Sequence, residues 1–202
     1  YELITITSFH PALEMIKSKQ YPRLVVINGS DGCQHTSLLK GQEDLRLDQN
    51  VMQFFELINM HIENSFTPES RHLRVHTYSI TPLSNMSGLI QFIDNTDTIY
   101  KLISSYRNQR GIQVKLEENI GKDKYNKIEC LLPIQRLEFL REVNRSCTGD
   151  DLREVIWLKS GNAYNWIQRT SRFAQTSAIV SIVGYILGLG DRHPSNIMMH
   201  RL

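Results

Sequence analysis

The sequence predicts an α+β fold with a β-rich first half and a mainly helical second half. The first observation is that short apolar runs, separated by turn residues, fill much of residues 1–93, with one helical pattern among them. The second is that apolar residues recur at helical spacing from about Thr96 onward. The third is the length, because 202 residues suffice for one large domain or for two small lobes that share a cleft.

Strands and a turn open the first half. Residues 3–6 predict one strand and residues 24–27 a second, since both runs are rich in leucine, isoleucine and valine. Residues 28–32 (Asn-Gly-Ser-Asp-Gly) predict a turn, because glycine adopts positive φ and the polar side chains bond nearby backbone groups. The turn leads to a strand at residues 36–40, so a hairpin is expected.

A helix and another strand follow the hairpin. Asp48 is expected to cap a helix whose apolar residues have helical spacing, namely Val51, Phe54, Phe55, Ile58 and Ile62. Residues 73–80 alternate in the manner of a strand, which we expect Pro82 to interrupt.

The second half is predicted to be helical. One short helix is predicted by Ile99, Leu102, Ile103 and Tyr106, and another by residues 133–143. Residues 178–187 are apolar around the whole circumference of a helix, which predicts burial on all sides.

Composition excludes several classes of protein. The 23 basic and 21 acidic residues are too balanced for an electrostatic nucleic-acid binder. Cys33, Cys130 and Cys147 are odd in number and lack CxxC spacing, so we expect a reducing compartment without disulfides or zinc. The longest apolar stretch, residues 178–189, is shorter than the roughly 18 residues of a membrane span, and no signal-peptide pattern is present. Because the chain starts without methionine and stops abruptly, we interpret it as part of a longer protein.

The strongest chemical signal lies in residues 188–196 (Gly-Leu-Gly-Asp-Arg-His-Pro-Ser-Asn). Asp191 and Asn196 are five residues apart, as are the catalytic Asp and the metal-binding Asn of the protein-kinase H-R-D-x-x-x-x-N loop. Here the histidine, His193, follows the aspartate. The alternative interpretation is a helix C-cap and turn whose polar side chains bond their own backbone.

A second signal lies around Lys40, which ends a strand and precedes an acidic cluster. A lysine there can reach nucleotide phosphates while a carboxylate holds it; the alternative is a solvated lysine at a strand end. Residues 16–20 can form a phosphate-covering turn or, equally, an exposed basic loop. Neither G-x-G-x-x-G nor a P-loop is present in the sequence.

Two long motifs carry a resemblance to a known family. Residues 38–48 (LLKGQEDLRLD) resemble the lysine-bearing segment of the phosphatidylinositol-3-kinase-related protein kinases, and residues 184–196 (GYILGLGDRHPSN) resemble their catalytic loop. Within that family the chain is most similar to the target-of-rapamycin (TOR) kinases. Supporting similarity lies in residues 28–32, Tyr78, residues 82–84, residues 148–152 and residues 157–160.

The resemblance implies a bilobal kinase-like α+β fold. Residues 1–93 would form the N-lobe and hinge, and residues 94–202 the first part of the C-lobe. The family's Asp-Phe-Gly segment, whose aspartate is the main Mg²⁺ ligand, is not among the 202 residues. We therefore expect these residues alone to be inactive.

The resemblance also implies the catalytic groups. Asp191 would be the catalytic aspartate, His193 would stabilise charge on the transferring phosphoryl group, and Asn196 would bind Mg²⁺. Lys40 would contact the ATP phosphates, with either Glu43 or Asp48 as its partner.

Further ATP contacts are implied in two regions, the phosphate-binding loop and the adenine pocket. Residues 15–21 would form the phosphate-binding loop, with Ser18 and Gln20 near the phosphates. Leu38 and Tyr78 would line the inner part of the adenine pocket, and Gln91, Phe92 and Ile93 would form the hinge. Thr98 would lie at the rim of the pocket, and Met198 would form its floor. The interpretation that needs no ligand is ordinary core packing of the apolar members.

The chain departs from the family pattern at four positions. Phe92 replaces the usual hinge tryptophan, and Gln91 stands where glycine is usual. Leu47 replaces a glutamine and Gln42 a histidine in the lysine segment. None of these changes removes a group that the chemistry requires.

The resemblance implies a serine/threonine protein kinase of the TOR type, acting in growth and nutrient signalling with ATP and Mg²⁺ or Mn²⁺. It implies a large parent chain that contains a rapamycin-binding bundle. The implied partners are protein substrates, scaffold subunits and a β-propeller subunit. Residues 111–150 are our candidate contact for the β-propeller subunit, and the alternative interpretation of these residues is a solvated insertion. The expected location is the cytoplasm, with endomembrane surfaces and the nucleus as further sites. The competing functions are a phosphoinositide lipid kinase and a pseudokinase scaffold, although a pseudokinase usually lacks the groups found here at Lys40, Asp191, His193 and Asn196.

Overall fold

The computed structural model describes residues 3–18, 20–64, 73–124 and 131–201. These residues divide into two units. The first unit comprises the described residues up to Asp94 together with Gln175–Leu187, and the second comprises Asn95–Ala174 together with the described residues from Gly188 onward.

The first unit is built on an antiparallel sheet. Its strands are β1 (Ile6–Phe9), β2 (Glu14–Met15), β3 (Arg23–Gly29), β4 (Gln34–Gly41), β5 (Ile80–Ser84) and β6 (Ser87–Gln91). Their order is β1-β3-β4-β6-β5, and β2 also pairs with β3. The predicted β3–β4 hairpin is confirmed, and the Asp31 carboxylate accepts a 3.0 Å hydrogen bond from the Cys33 amide within its turn. β1 begins at Ile6 rather than at Leu3, because Ile6 already faces Gly29, the last residue of β3.

Helix α1 (Arg46–Glu63) follows the hairpin, as predicted, but Asp48 does not cap it. The helix begins two residues before Asp48, and the Asp44 carboxylate accepts the hydrogen bond from the Arg46 amide at 3.1 Å. Asp48 lies in the first turn, where a carboxylate interacts favourably with the helix dipole.

The strand predicted at residues 73–80 is wrong over most of its length, since β5 begins only at Ile80. The backbone of this segment is hydrogen-bonded to a side chain of α1 instead of to a neighbouring strand. Asn59 Nδ2 donates to the Val75 carbonyl at 2.8 Å, and the Val75 amide donates to Asn59 Oδ1 at 2.9 Å. Pro82 lies inside β5 instead of interrupting it, because β5 is the last strand of the sheet, where proline is tolerated.

The second unit is mainly helical. Its elements are β7 (Thr96–Thr98), α2 (Ile99–Arg110), α3 (Leu116–Lys124), α4 (Pro133–Ser146), α5 (Asp151–Leu158), the first part of α6 (Ala163–Leu187) and β8 (Met198–His200). The predicted helices at α2 and α4 are confirmed. The helical pattern expected from Thr96 starts three residues later, because Thr96–Thr98 pair with β8.

A buried arginine ties α2 to α3 and α5. Arg107 donates to both carboxylate oxygens of Glu117 at 2.5 and 2.8 Å, to Asp151 at 2.6 and 2.8 Å, and to the Val114 carbonyl at 3.0 Å. The Arg107 hydrogen bonds lower the pKa of Glu117 to about 2. We call these three side chains the Arg107 cluster.

The burial predicted on all sides of residues 178–187 is wrong. Within this part of α6 only Val183 is buried, whereas Ile182 and Ile186 are exposed and Tyr185 is 88% exposed. In the described part of the chain we find no helix with the length and apolar character of a membrane span.

Candidate active site

Lys40 lies on β4, in the middle of the sheet of the first unit. Side chains alternate between the two faces of a strand, so Lys40 shares a face with Leu38. Leu38 is flanked by Leu24 of β3 and Ile90 of β6, while Lys40 faces Gly88 of β6.

The structure pairs Lys40 with Glu43. Lys40 Nζ lies 3.2 Å from Glu43 Oε2, and both side chains are partly exposed. The chain turns back between them through Gln42, whose φ is 61°. Of the two partners left open by the sequence, Glu43 therefore binds Lys40 here, and Asp48 lies in the first turn of α1.

Gly88, which the sequence analysis did not identify, is required opposite Lys40 by close packing. A Cβ atom at this position would lie 2.8 Å from Leu45 Cδ1 and 2.9 Å from the Thr81 carbonyl oxygen. Leu45 is fully buried. The signal available in the sequence was a lone glycine inside a strand pattern, which marks a close approach of backbone.

The predicted phosphate-binding loop connects β2 to β3. Glu14 faces Leu24 across the two strands, and the Tyr21 amide donates to the Ser18 carbonyl at 3.2 Å to close the loop. Ser18 and Gln20 are exposed on this loop, and Lys19 lies outside the described residues.

The predicted hinge leaves the sheet at the end of β6. The Gln91 amide donates to the Ser79 carbonyl at 2.9 Å, and the Phe92 amide donates to the Thr36 carbonyl at 3.0 Å. The N–H groups of Gln91 and Phe92 are thus used within the sheet. Tyr78, Phe92 and Ile93 are all half-buried.

The predicted catalytic loop, residues 184–196, comprises the last turn of α6, which ends at Leu187, and the segment that follows it. Gly188 has φ 65°, which is the left-handed conformation that commonly ends a helix. Asp191 has φ 56°, an uncommon value for a residue other than glycine that is characteristic of functional sites. Its side chain is 81% exposed.

The loop brings its three predicted catalytic side chains together. Asn196 Nδ2 donates to Asp191 Oδ2 at 2.9 Å and to the Asp191 carbonyl at 3.0 Å. His193 Nδ1 accepts a hydrogen bond from the Ser195 amide at 3.2 Å, so the proton of the neutral ring is on Nε2. That Nε2 lies 3.6 Å from Asp191 Oδ1. The arrangement holds a carboxylate, an imidazole N–H and an amide oxygen in one turn.

Thr98 and Met198 face each other across β7 and β8. Thr98 Oγ1 also accepts a hydrogen bond from the Lys101 amide at 3.2 Å and so caps α2. Threonine directly before a helical pattern is a recognised capping signal, so this role was readable from the sequence.

Asp97 and Arg201, two charged residues at the two-stranded ribbon of β7 and β8, were not identified from the sequence. Arg201 donates to the Asp97 carboxylate from Nε at 2.5 Å and from NH2 at 2.8 Å, and these bonds hold the pKa of Asp97 well below its usual range. The partners are 104 residues apart, and no local pattern links them.

Comparison with known proteins assigns a family profile to most of the chain. Residues 35–202 match the profile described as phosphatidylinositol 3- and 4-kinase.

Individual relatives carry protein-kinase names. The chain is 42% identical over 199 residues to "Serine/threonine-protein kinase tor1" of Schizosaccharomyces pombe, with 98% of this chain and 8% of that protein covered. It is 42% identical over 203 residues to "Serine/threonine-protein kinase TOR" of Arabidopsis thaliana and 39% identical over 201 residues to "Serine/threonine-protein kinase mTor" of Drosophila melanogaster, with 98% and 100% of this chain covered. In both cases the chain spans 8% of the relative.

A solved structure has the same fold. The structure described as "FAT and kinase domain of CtTel1" superposes with a TM-score of 0.77 at 24% identity, over 97% of this chain and 14% of that one. The kinase-like α+β fold predicted from the sequence is confirmed by this likeness.

Proposed function

The chain belongs to the phosphatidylinositol 3- and 4-kinase family, and on that premise we propose that it is a segment of a TOR-type serine/threonine protein kinase. Such an enzyme transfers the γ-phosphoryl group of ATP to protein hydroxyls. The observation that carries the proposal is the turn in which Asn196 binds the Asp191 carboxylate and His193 Nε2 lies 3.6 Å from its other oxygen. The names of relatives that match 98% of the chain favour protein over lipid as the acceptor.

Asp191 is proposed as the group that accepts the proton of the attacking hydroxyl. Its carboxylate is exposed, and the bond from Asn196 Nδ2 occupies only one of its two oxygens. His193 presents its Nε2–H on the same side of the turn, which suits it to stabilise charge on a transferring phosphoryl group.

Lys40 is proposed to hold the ATP phosphates. Its ion pair with Glu43 is 3.2 Å long and partly exposed, so the lysine is oriented but still has N–H groups to donate. Ser18 and Gln20 are proposed to lie near the same phosphates, because they are exposed on the loop that joins β2 to β3.

Kinases of this family use ATP, generally with a divalent metal ion, and we propose Mg²⁺, with Mn²⁺ as a substitute. The donor chemistry fits a hard cation: the Asn196 amide nitrogen is turned to Asp191, which leaves Oδ1 as a ligand of the type that Mg²⁺ prefers. A bound ion would neutralise charge that develops on the phosphate oxygens.

The residues proposed to contact adenine are Leu38, Tyr78, Gln91, Phe92 and Ile93 of the first unit and Thr98 and Met198 of the second. The pairing of Thr98 with Met198 supports the assignment of the rim and the floor to neighbouring positions. Because the amides of Gln91 and Phe92 are already donated within the sheet, we propose that adenine contacts from these two residues are made by other groups.

The lobes are proposed as residues 1–93 and 94–202. The change of unit after Asp94 supports this boundary, whereas Gln175–Leu187 groups with the first unit. Residues 111–150 remain our candidate contact for a β-propeller subunit, of which residues 125–130 lie outside the described part. Exposed apolar side chains on α4 support this candidate, namely Ile134, Leu137 and Leu140. We further propose scaffold subunits as partners and a rapamycin-binding bundle in the parent chain. The proposed location is the cytoplasm, with endomembrane surfaces and the nucleus as further sites.

The test uses the full-length protein that contains these residues, with labelled Mg·ATP and with protein and phosphoinositide acceptors side by side. Transfer to protein that disappears in Asp191→Ala, but persists in the matched variant Asp150→Ala, would support the proposal. Asp150 is a suitable control because its carboxylate only approaches Arg153 at 3.5 Å. Transfer to lipid alone would indicate a lipid kinase, and no transfer by the folded protein would indicate a scaffold.

A further inference from the structure

Two short segments that lie far apart in the sequence are bonded along their length in the second unit. β7 pairs with β8, and the first turn of α2 extends this contact into the catalytic loop. The Ile99 amide donates to the Ile197 carbonyl and the Tyr100 amide donates to the Pro194 carbonyl, each at 3.0 Å. The first amides of a helix lack partners within it, so the carbonyls of Pro194 in the catalytic loop and of Ile197 just after it supply them.

An ion pair between Asp97 and Arg201 also joins β7 to the end of β8. Asp97 of β7 is only 8% exposed, and Arg201, directly after β8, binds its two carboxylate oxygens at 2.5 and 2.8 Å. Lys101 Nζ lies 2.9 Å from Asp97 Oδ1, but Lys101 belongs to α2 and is largely exposed. A buried carboxylate needs a partner, and two parallel bonds from a guanidinium fix the direction of approach as well as the charge.

We propose that Asp97 and Arg201 are positioning residues for phosphotransfer, whose ion pair sets the register of β8 and thereby the orientation of Asn196 and Met198. This inference rests on the proposed function.

The physical reason lies in the shortness of the ribbon. β7 and β8 are three residues each, and their backbone bonds alone do not distinguish one register from a neighbouring one. A slip by one residue would turn every side chain of β8, including Met198, to the other face. A bidentate pair between Asp97, the middle residue of β7, and Arg201, which follows β8, excludes that slip, because a shift by one residue would turn Arg201 away from the face of Asp97. Asn196 lies two residues before β8, so its placement follows from the same register.

The test compares three variants of the full-length protein. Arg201→Gln should lower kcat by about 10- to 100-fold, as loss of a residue that orients a metal ligand does, and should raise the Mg²⁺ concentration needed for half-maximal rate. The KM for the protein substrate should stay unchanged. Arg201→Lys, which keeps the charge but not the two parallel bonds, should recover part of kcat. The matched control is Lys101→Gln, which removes the other cation from Asp97 without touching β8 and should stay within about twofold of the parent.

Amide hydrogen exchange over residues 194–201 provides a readout that does not depend on catalysis. Exchange should be faster in Arg201→Gln than in Lys101→Gln. Equal effects of the two variants, or unchanged kcat and Mg²⁺ dependence in Arg201→Gln, would overturn the proposal. If the unsubstituted protein transfers no phosphate, the proposed function fails. The exchange data then decide the register role alone: faster exchange supports it and unchanged exchange overturns it.

Discussion

Replacing Glu117 by glutamine removes one carboxylate from the Arg107 cluster while keeping the size of the side chain. Glu117 accepts two hydrogen bonds from the buried guanidinium, which also holds Asp151 of α5. The substitution should therefore loosen the attachment of α3 to α2 and α5 without disturbing the helices themselves.

The size of this effect follows from the pKa of Glu117, which the Arg107 hydrogen bonds lower from 4.5 to about 2. A lowering of that size corresponds to about 3 kcal/mol of preference for the charged form. Because the Glu117 side chain is 39% exposed, solvent screens the interaction, and we expect a loss of about 1–2 kcal/mol. That loss corresponds to an increase of about 5- to 30-fold in the population of the locally open state.

The assay is amide hydrogen exchange of residues 113–119 in the intact protein near pH 7. The matched control is Glu118→Gln, because Glu118 pairs at 3.3 Å with the exposed Lys115 and should contribute little. Exchange that accelerates equally in both variants, or in neither, would refute the assignment of this stabilisation to the buried arginine.

The pH dependence gives an independent check. Since the folded pKa of Glu117 is depressed, the stabilisation is complete above its usual 4.5 and is lost only as the pH falls toward about 2. The difference in local stability between Glu117→Gln and the parent should therefore stay constant from about pH 8 to pH 5. A difference that declined within that range would contradict the strong pairing.

Three further predictions concern the candidate site, and hydrogen exchange in the intact protein checks the stability of each variant. Gly88→Ala should destabilise β4 and β6 by about 1–3 kcal/mol, because its Cβ would meet the Thr81 carbonyl at 2.9 Å, whereas Gly41→Ala enters open space and should not. Lys40→Met should abolish phosphate transfer and leave exchange in β4 nearly unchanged, since a partly exposed ion pair contributes at most about 1 kcal/mol; a parallel loss of protection would contradict this. Thr98→Ala should expose the Lys101 amide to exchange at a cost of about 1 kcal/mol, and Thr98→Ser should restore protection if the hydroxyl is the cap.

The parts of the fold that could be predicted from the sequence are those determined by neighbours in the chain. The β3–β4 hairpin has its turn residues between its strands, and α2 and α4 have their apolar spacing within themselves. The catalytic turn is equally local, since Asp191 and Asn196 are bonded across five residues.

The parts that could not be predicted depend on distant partners. The segment around Val75 has a strand-like pattern, but its backbone is bonded to a side chain 16 residues earlier. The Asp97–Arg201 pair joins residues 104 apart, and each taken alone resembles an ordinary surface charge. Asp48 was a reasonable cap by residue type, yet the helix starts earlier, directly after Leu45, and the Asp44 carboxylate before it binds the Arg46 amide.

Asn59 has a consequence for how freely this sequence can vary. Its amide group donates with one end and accepts with the other, and both ends are used by the backbone of Val75 inside the protein. Aspartate would lose the donor, leucine would lose both functions, and glutamine would place the group one methylene too far. Position 59 is thus restricted to a single amino acid by hydrogen-bond chemistry, whereas the exposed positions of α1, such as Leu57 and Met60, carry no such requirement. Related sequences should therefore keep asparagine at position 59, while exposed positions of α1 differ among them.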